Sequence, residues 1–351
     1  MEVLAAFGLN PALFDVAPFG SGHINRTYLA KARNGSESYV LQQINTSVFK
    51  RPDAIAANQR RTWEHLARTQ PDYLFLQALP TKDGDDLYRD GEAVWRLMPY
   101  VADTLTVDQA ESPKQAYEAA KQFGQFARHT AKMDIGGMEP TIIDFHNLTL
   151  RVQQFEEALK SASEERKTRA AAEIDAVWAN AHIAERYAAM MQANVLPKRL
   201  MHHDTKINNV LLRTGTHEGV CIVDLDTLMP GVILSDLGDM VRTYVCPVSE
   251  EERDVSRVQV REDYYAALMD GYVSEMGGEL TSDEQDVLFY AGQFMITMQA
   301  IRFLADYLNG DVYYPVKRAE HNLDRARNQI TLLIRLNEKE QPLKKIIQNC
   351  F

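Results

Sequence analysis

Two short β-type runs, Val210-Leu211-Leu212 and Val220-Cys221-Ile222-Val223, stand inside a stretch of chain whose apolar spacing is otherwise helical. The link between them, Arg213-Thr214-Gly215-Thr216-His217-Glu218-Gly219, is polar and holds two glycines. Runs of this kind close as an antiparallel hairpin. Closure carries Asn209, just before the first strand, beside Asp224, just after the second. An amide oxygen and a carboxylate then converge from two chain segments.

The residues leading into the hairpin sharpen this. Leu200-Met201-His202-His203-Asp204 is followed by Asn209, five residues after Asp204. A His-x-Asp, then Asn, then a closing Asp is the order of a phosphoryl-transfer site of the kinase catalytic-loop type. In that arrangement Asp204 receives the proton of the attacking hydroxyl, and Asn209 and Asp224 are oxygen ligands for Mg²⁺. Mg²⁺ favours such a set, with few hard oxygen donors from protein and the rest from water and phosphate.

The chain around this core divides in character. Residues 1 to about 100 read as a small sheet with one helix. A short helix over about 2–8 precedes the run Arg26-Thr27-Tyr28-Leu29-Ala30, the turn Asn34-Gly35 and the strand Tyr39 to Ile44. A helix over 53–69 shows Ile55, Trp63 and Leu66, and strands follow at Ala78-Leu79-Pro80 and Ala93 to Met98, joined by the turn Lys82 to Asp86. From Ser112-Pro113 onward helices dominate: one with Tyr117, Ala120, Phe123 and Ala127 on a face, one from about Arg166 to Gln192, and others over 261–276, 282–308 and 317–340. The expected fold class is α+β, in two lobes of the kinase kind: 1–101 binding nucleotide, and 102–351 helical, catalytic and substrate-binding.

The formal charge of −11 argues against nucleic acid or an anionic membrane as a bulk partner. The three cysteines, Cys221, Cys246 and Cys350, are scattered and fit neither a disulfide framework nor a zinc site, which points to a reducing cytoplasm. Nothing at the N-terminus resembles a signal peptide, and no stretch approaches the ~20 apolar residues of a spanning helix. A monomer or homodimer in the cytoplasm is the expectation.

On the nucleotide side, Gly20-Ser21-Gly22 between two strands reads either as a lid over the phosphates of ATP or as an ordinary hairpin turn. Gln42 occupies the third-strand position where protein kinases place a phosphate-binding Lys. It can donate a hydrogen bond but brings no charge, so either another cation helps or Mg²⁺ carries more of the load. Glu64 reads as a solvated helix position rather than as the partner of a missing Lys. The segment Trp95 to Val101 reads as a hinge whose backbone at Met98 and Tyr100 would meet adenine.

These residues carry a resemblance to the aminoglycoside phosphotransferase-type kinases, and within them to the bacterial N-acetylhexosamine 1-kinases. Similar segments include Gly22-His23-Ile24-Asn25, Leu41-Gln42-Gln43, Asp204-Thr205-Lys206, Asp224-Leu225-Asp226-Thr227 and Arg302-Phe303-Leu304-Ala305-Asp306-Tyr307-Leu308. The resemblance spans residues 16 to about 335, and the subgroup shares Gln42. It implies Asp204 as base, Asn209 and Asp224 as Mg²⁺ ligands, and His23, Arg302 and Tyr313 as contacts to a small sugar substrate phosphorylated by ATP. The residues alone leave His23 open between turn and sugar contact, Tyr313 between packed loop and sugar contact, and Arg302 between Asp306 and a ligand. Asp236 and Asp239 read as braces of the catalytic loop. Thr243 departs from the subgroup, where an aromatic can stand. Acceptors other than a sugar are aminoglycosides, N-acetylmuramate, choline and homoserine. A non-catalytic nucleotide-binding protein would have lost its base or a metal ligand, and this chain has kept them.

Overall fold

The computed structural model describes residues 2–20 and 24–351. The expectations for Ser21, Gly22 and His23 therefore lie outside the described residues. A 3-10 turn at Glu2–Phe7 precedes strands β1 (Phe14–Pro18), β2 (Arg26–Ala32) and β3 (Ser38–Ile44), helix α1 (Pro52–Thr69) and the hairpin of β4 (Tyr88–Asp90) with β5 (Ala93–Pro99). All five strands are antiparallel, in the order β1-β2-β3-β5-β4. Side chains alternate across the pleat. One face packs Leu41, Trp95 and Leu97 on Val3, Leu4 and Phe7 of the N-terminal turn. The other face carries the register pairs Val40 with Met98, Gln42 with Arg96 and Ile44 with Val94.

Two expectations for this region are corrected. Ala78-Leu79-Pro80 is not a strand: only Leu79 bridges to Leu97, and the chain leaves the sheet at Pro80, which has no N–H to offer a ladder. The hairpin partner of β5 is Tyr88–Asp90 instead. On α1, Ile55 and Leu66 are buried while Trp63 is exposed. At 100° per residue Trp63 stands about 80° round the helix from Ile55, whereas Leu66 returns to within about 20° of it.

Beyond β6 (Thr104–Leu105), helices α2 (Pro113–Thr130), α3 (Leu148–Ser161), α4 (Glu164–Arg169), α5 (Ala171–Ala179) and α6 (Ala181–Ala193) lead to β7 (Arg199–Met201). Then come β8 (Val210–Arg213), β9 (Gly219–Ile222) and β10 (Met229–Gly231), and helices α7 (Leu234–Tyr244), α8 (Glu262–Met276), α9 (Ser282–Asp286), α10 (Leu288–Leu308), α11 (His321–Glu338) and α12 (Glu340–Asn349). Ser112 caps α2 by accepting from the Gln115 N–H at 3.3 Å, with Pro113 in the first turn. The single helix expected over 166–192 is three, broken at Ala170 and Asn180 without proline or glycine. Around Ala170 the chain is anchored by distant partners: Arg166 reaches Asp311 at 2.8 Å, Ala170 is fully buried, and Glu173 pairs with Arg327 at 2.7 Å. The 282–308 helix likewise breaks at Val287. Helices α3 and α12 were not expected.

Helix α10 is apolar nearly all round and forms the centre of the helical region, as such a helix must. Glycines let its neighbours close in. A Cβ on Gly238 of α7 would lie 2.4 Å from the Ala291 carbonyl oxygen, and one on Gly271 of α8 would lie 2.3 Å from that of Tyr117 in α2.

Candidate active site

Strand β7 delivers the chain into His202-His203-Asp204, and the turn there is held from below by α7. The Asp236 carboxylate accepts the backbone N–H of His202 at 2.9 Å and of His203 at 2.7 Å. The Thr205 hydroxyl donates to the Asp236 carbonyl at 2.6 Å, and Tyr244 donates to the Thr205 carbonyl at 2.9 Å. These bonds hold His203 in the left-handed region at φ 66°, a conformation a non-glycine residue keeps only when its surroundings compel it. Burial raises the Asp236 carboxyl to about 7, partly offset by the two N–H bonds it accepts.

The histidines beneath the loop are neutral by their wiring. His203 lies with Nε2 at 3.2 Å from the Met229 carbonyl and Nδ1 at 2.7 Å from Ser235 Oγ, while His146 Nδ1 meets the same hydroxyl. A consistent set has His203 Nε2–H donating to Met229, Ser235 donating to His203 Nδ1, and His146 Nδ1–H donating to Ser235. Burial pushes His203 down to about 3 and His146 well below its ordinary value.

Asp204 stands at the exposed end of this frame. Its Oδ1 pairs with Lys206 Nζ at 2.8 Å, and its Oδ2 accepts from Asn209 Nδ2 at 3.0 Å. Burial pulls the Asp204 carboxyl upward. Lys206, His202 and Asn209 together outweigh it and hold the group below the usual carboxylate value, so it is ionised near neutrality. The Asn209 nitrogen also donates to the Asp204 carbonyl at 2.8 Å, which leaves the amide oxygen as the group free to accept or ligate.

The hairpin pairs Val210 with Ile222, and the Val223 N–H donates to the Asn209 carbonyl at 2.8 Å. Asp224 follows at once, in the left-handed region at φ 58°. Its surface opens to the cleft and, among the described residues, no hydrogen bond or ion pair holds its carboxylate. Protein crowds it nonetheless: desolvation first, then Asp226 and Asp204, raise it to about 7. A free carboxylate destabilised by neighbouring acids suits a cation. Among the described residues no three His, Cys, Asp or Glu side chains converge as a metal-binding group. The oxygens of Asn209 and Asp224 are hard donors of the kind Mg²⁺ favours.

Asp226 is engaged differently. Fully buried, it pairs with Arg96 of β5 and accepts from Asn25 Nδ2 at 2.7 Å and Gln59 Nε2 at 3.3 Å. Arg96 also donates to Gln42 Oε1 from Nε at 3.0 Å and Nη2 at 2.6 Å, and Gln42 Nε2 donates to Thr27 Oγ1 at 2.9 Å. At the strand end, Met98 is paired opposite Val40 and the Tyr100 N–H donates to the Ser38 carbonyl at 3.3 Å, so that N–H is not free for adenine. The Phe19 and Tyr100 rings meet edge to face at 5.9 Å. Gly20 turns at φ 79° with open space where a Cβ would stand.

Arg302 projects from α10. Asp306 is not its partner: that carboxylate accepts the backbone N–H groups of Val312, Tyr313 and Tyr314 at 2.8–3.0 Å and the amide of Asn322. Arg302 donates to Gln299 at 2.9 Å and lies 5.4–6.0 Å from the ring centres of Phe145, Tyr313 and Tyr314. Phe145 in turn lies 6.5 Å from the ring of His203, so one ring separates Arg302 from the His202–Asp204 turn. Tyr313 stands on the lip, 68% exposed. Thr243 bonds back to the Asp239 carbonyl at 2.7 Å, and Asp239 pairs with Arg242 at 2.9 Å.

Residues 15–270 match the model of the phosphotransferase enzyme family. The chain belongs to that family. It is an ATP-dependent phosphotransferase acting on a hydroxyl. Solved structures of similar fold include the microcompartment-associated aminopropanol kinase, with 12% identity, 98% of this chain and 97% of that one covered, and a TM-score of 0.65. An aminoglycoside phosphotransferase from Alicyclobacillus acidocaldarius has 12% identity, 96% and 95% coverage and a TM-score of 0.60. A choline kinase from Cryptosporidium parvum has 13% identity, 98% and 95% coverage and a TM-score of 0.57. Identities this low establish a shared fold only.

Three groups around this cleft have no expectation from the sequence: Arg96 with Asp226, Gln59, and the Phe145-His146-Ser235 group. Only Arg96 left a signal. A lone arginine in the apolar strand Ala93-Val94-Trp95-Arg96-Leu97-Met98 has to find a partner when buried.

Proposed function

We propose that this phosphotransferase is an anomeric kinase, moving the γ-phosphoryl group of ATP to the 1-hydroxyl of an N-acetylhexosamine. Residues 1–101 would hold the nucleotide and 102–351 the catalytic loop and sugar. The observation that carries the acceptor reading is Arg302: a half-buried guanidinium among three aromatic rings, beside the catalytic turn, with no carboxylate partner among the described residues. Such a site favours the hydroxyl and acetamido oxygens of a neutral sugar, and the rings suit a sugar's apolar face. It disfavours the ammonium group that an aminoglycoside or choline would bring.

In this reading Asp204, ionised and held by Lys206 and Asn209, orients the anomeric hydroxyl and takes its proton late in a loose transition state. A hemiacetal hydroxyl is more acidic than an ordinary alcohol, so a carboxylate of lowered pKa suffices. Asn209 and Asp224 would hold Mg²⁺, which when bound neutralises charge on the phosphates. Gly20, Ser21, Gly22, Gln42 and the strand end at Met98 and Tyr100 would line the nucleotide, and His23 and Tyr313 the sugar.

A coupled ADP-release assay over N-acetylglucosamine, N-acetylgalactosamine, their deacetylated forms, kanamycin, choline, ethanolamine and aminopropanol tests the reading. The expected product has lost its reducing end. An amine acceptor used about tenfold better than every N-acetylhexosamine would remove it.

A further inference from the structure

We propose that Arg96 is a positioning residue of the nucleotide site, fixing the Gln42 amide so that a spare N–H is presented to the phosphates of ATP. The proposal rests on the reading of this cleft as an ATP site and extends it to a residue with no role in the scheme above.

The amide of Gln42 has one oxygen and two N–H donors. Both Nε and Nη2 of Arg96 occupy the oxygen, at 3.0 and 2.6 Å, from the facing position on the neighbouring strand. That settles which way the amide turns. One N–H then goes to Thr27 Oγ1 at 2.9 Å, and the other has no partner among the described residues. A side chain that is formally neutral is left with a donor alone to offer, polarised by the guanidinium behind it. An anionic oxygen is the acceptor such a donor suits. Arg96 itself is almost fully buried, with its third contact on Asp226, so it acts through Gln42 rather than by touching phosphate.

The second end of the guanidinium explains why this cation stands on β5. Asp226 lies two residues beyond Asp224 and is gripped by Asn25 ahead of β2, Gln59 of α1 and Arg96 of β5. The side chain that orients Gln42 therefore also ties the sheet to the segment bearing the proposed metal ligand. Donor and ligand are set relative to each other before a nucleotide arrives.

The test is calorimetric titration with ATP in the presence of Mg²⁺, with no acceptor, alongside thermal unfolding. Gln42→Glu keeps the shape and the Arg96 contact but replaces the donor with a carboxylate. Expected is ATP binding at least about tenfold weaker with Tm within about 3 °C of wild type. Arg96→Met alone should lose Tm by stranding Asp226. Arg96→Met with Asp226→Asn should regain the Tm of Asp226→Asn alone, yet bind ATP about tenfold more weakly than that single variant. Gln42→Glu binding ATP within about threefold of wild type overturns the proposal, as does a double variant that recovers affinity together with Tm. The readout needs no acceptor, so a wild-type protein that binds ATP but phosphorylates no sugar defeats the sugar-kinase reading and leaves this test standing.

Discussion

At the scale of single residues, the proposed base, acceptor clamp and buried histidine have separable signatures. Asp204→Asn should leave ATP affinity near wild type in titration while turnover falls by orders of magnitude, and turnover within about tenfold of wild type would remove Asp204 from the chemistry. Arg302→Met should raise KM for the sugar by about 10- to 100-fold and leave KM for ATP unchanged, since a charge-assisted hydrogen bond contributes about 1.5–3 kcal/mol. His203 makes stability depend on pH. Its folded value lies near 3 and its ordinary value is 6.5, so below pH 6.5 the unfolded chain takes up a proton the folded one refuses. The stability it confers is complete above that point and is lost as pH falls toward 3, by up to about 1.4 kcal/mol per pH unit. In His203→Gln, urea midpoints measured from pH 7 to pH 5 should slope less steeply than in wild type.

At the scale of elements, helix α7 brings Asp236 under the His202–Asp204 turn because Gly238 lets it lie against α10. Gly238→Ala would force those helices apart, lowering stability by about 1–3 kcal/mol in urea unfolding and slowing catalysis through the displaced Asp236. The β8–β9 hairpin was legible beforehand because two β-rich runs and a polar link state their pairing locally, and so was α2, whose start is written in Ser112-Pro113. The breaks at Ala170 and Asn180 were not legible. No proline or glycine marks either one, and the partners that anchor the chain on both sides of Ala170, Asp311 and Arg327, lie over 130 residues away in the chain. The Arg96–Asp226 pair was hidden for the same reason, at a separation of 130 residues. The mistaken strand at Leu79 had the opposite cause: locally apolar composition that a single proline overrode.

For the whole molecule, the seam between sheet and helices is polar and specific. Asn58 of α1 donates to the carbonyls of Glu139 and Leu228, both at 2.8 Å, and accepts the Glu139 N–H at 3.2 Å. Asn58→Ala removes all three bonds, a cost of about 3 kcal/mol. Hydrogen exchange should then quicken at the amides of β3 and β5 while those of α10 keep their protection; equal change in both would mean that the seam does not couple them. One consequence reaches past this chain's own substrate. The Asp306 carboxylate fastens the 312–314 backbone through three N–H groups, independent of which side chains that segment carries. Val312 and Tyr313 project outward from it, largely exposed. The lip is thus a mount with interchangeable fittings. Under the proposed function, libraries randomised at these two positions should change acceptor use without disturbing the framework that holds them.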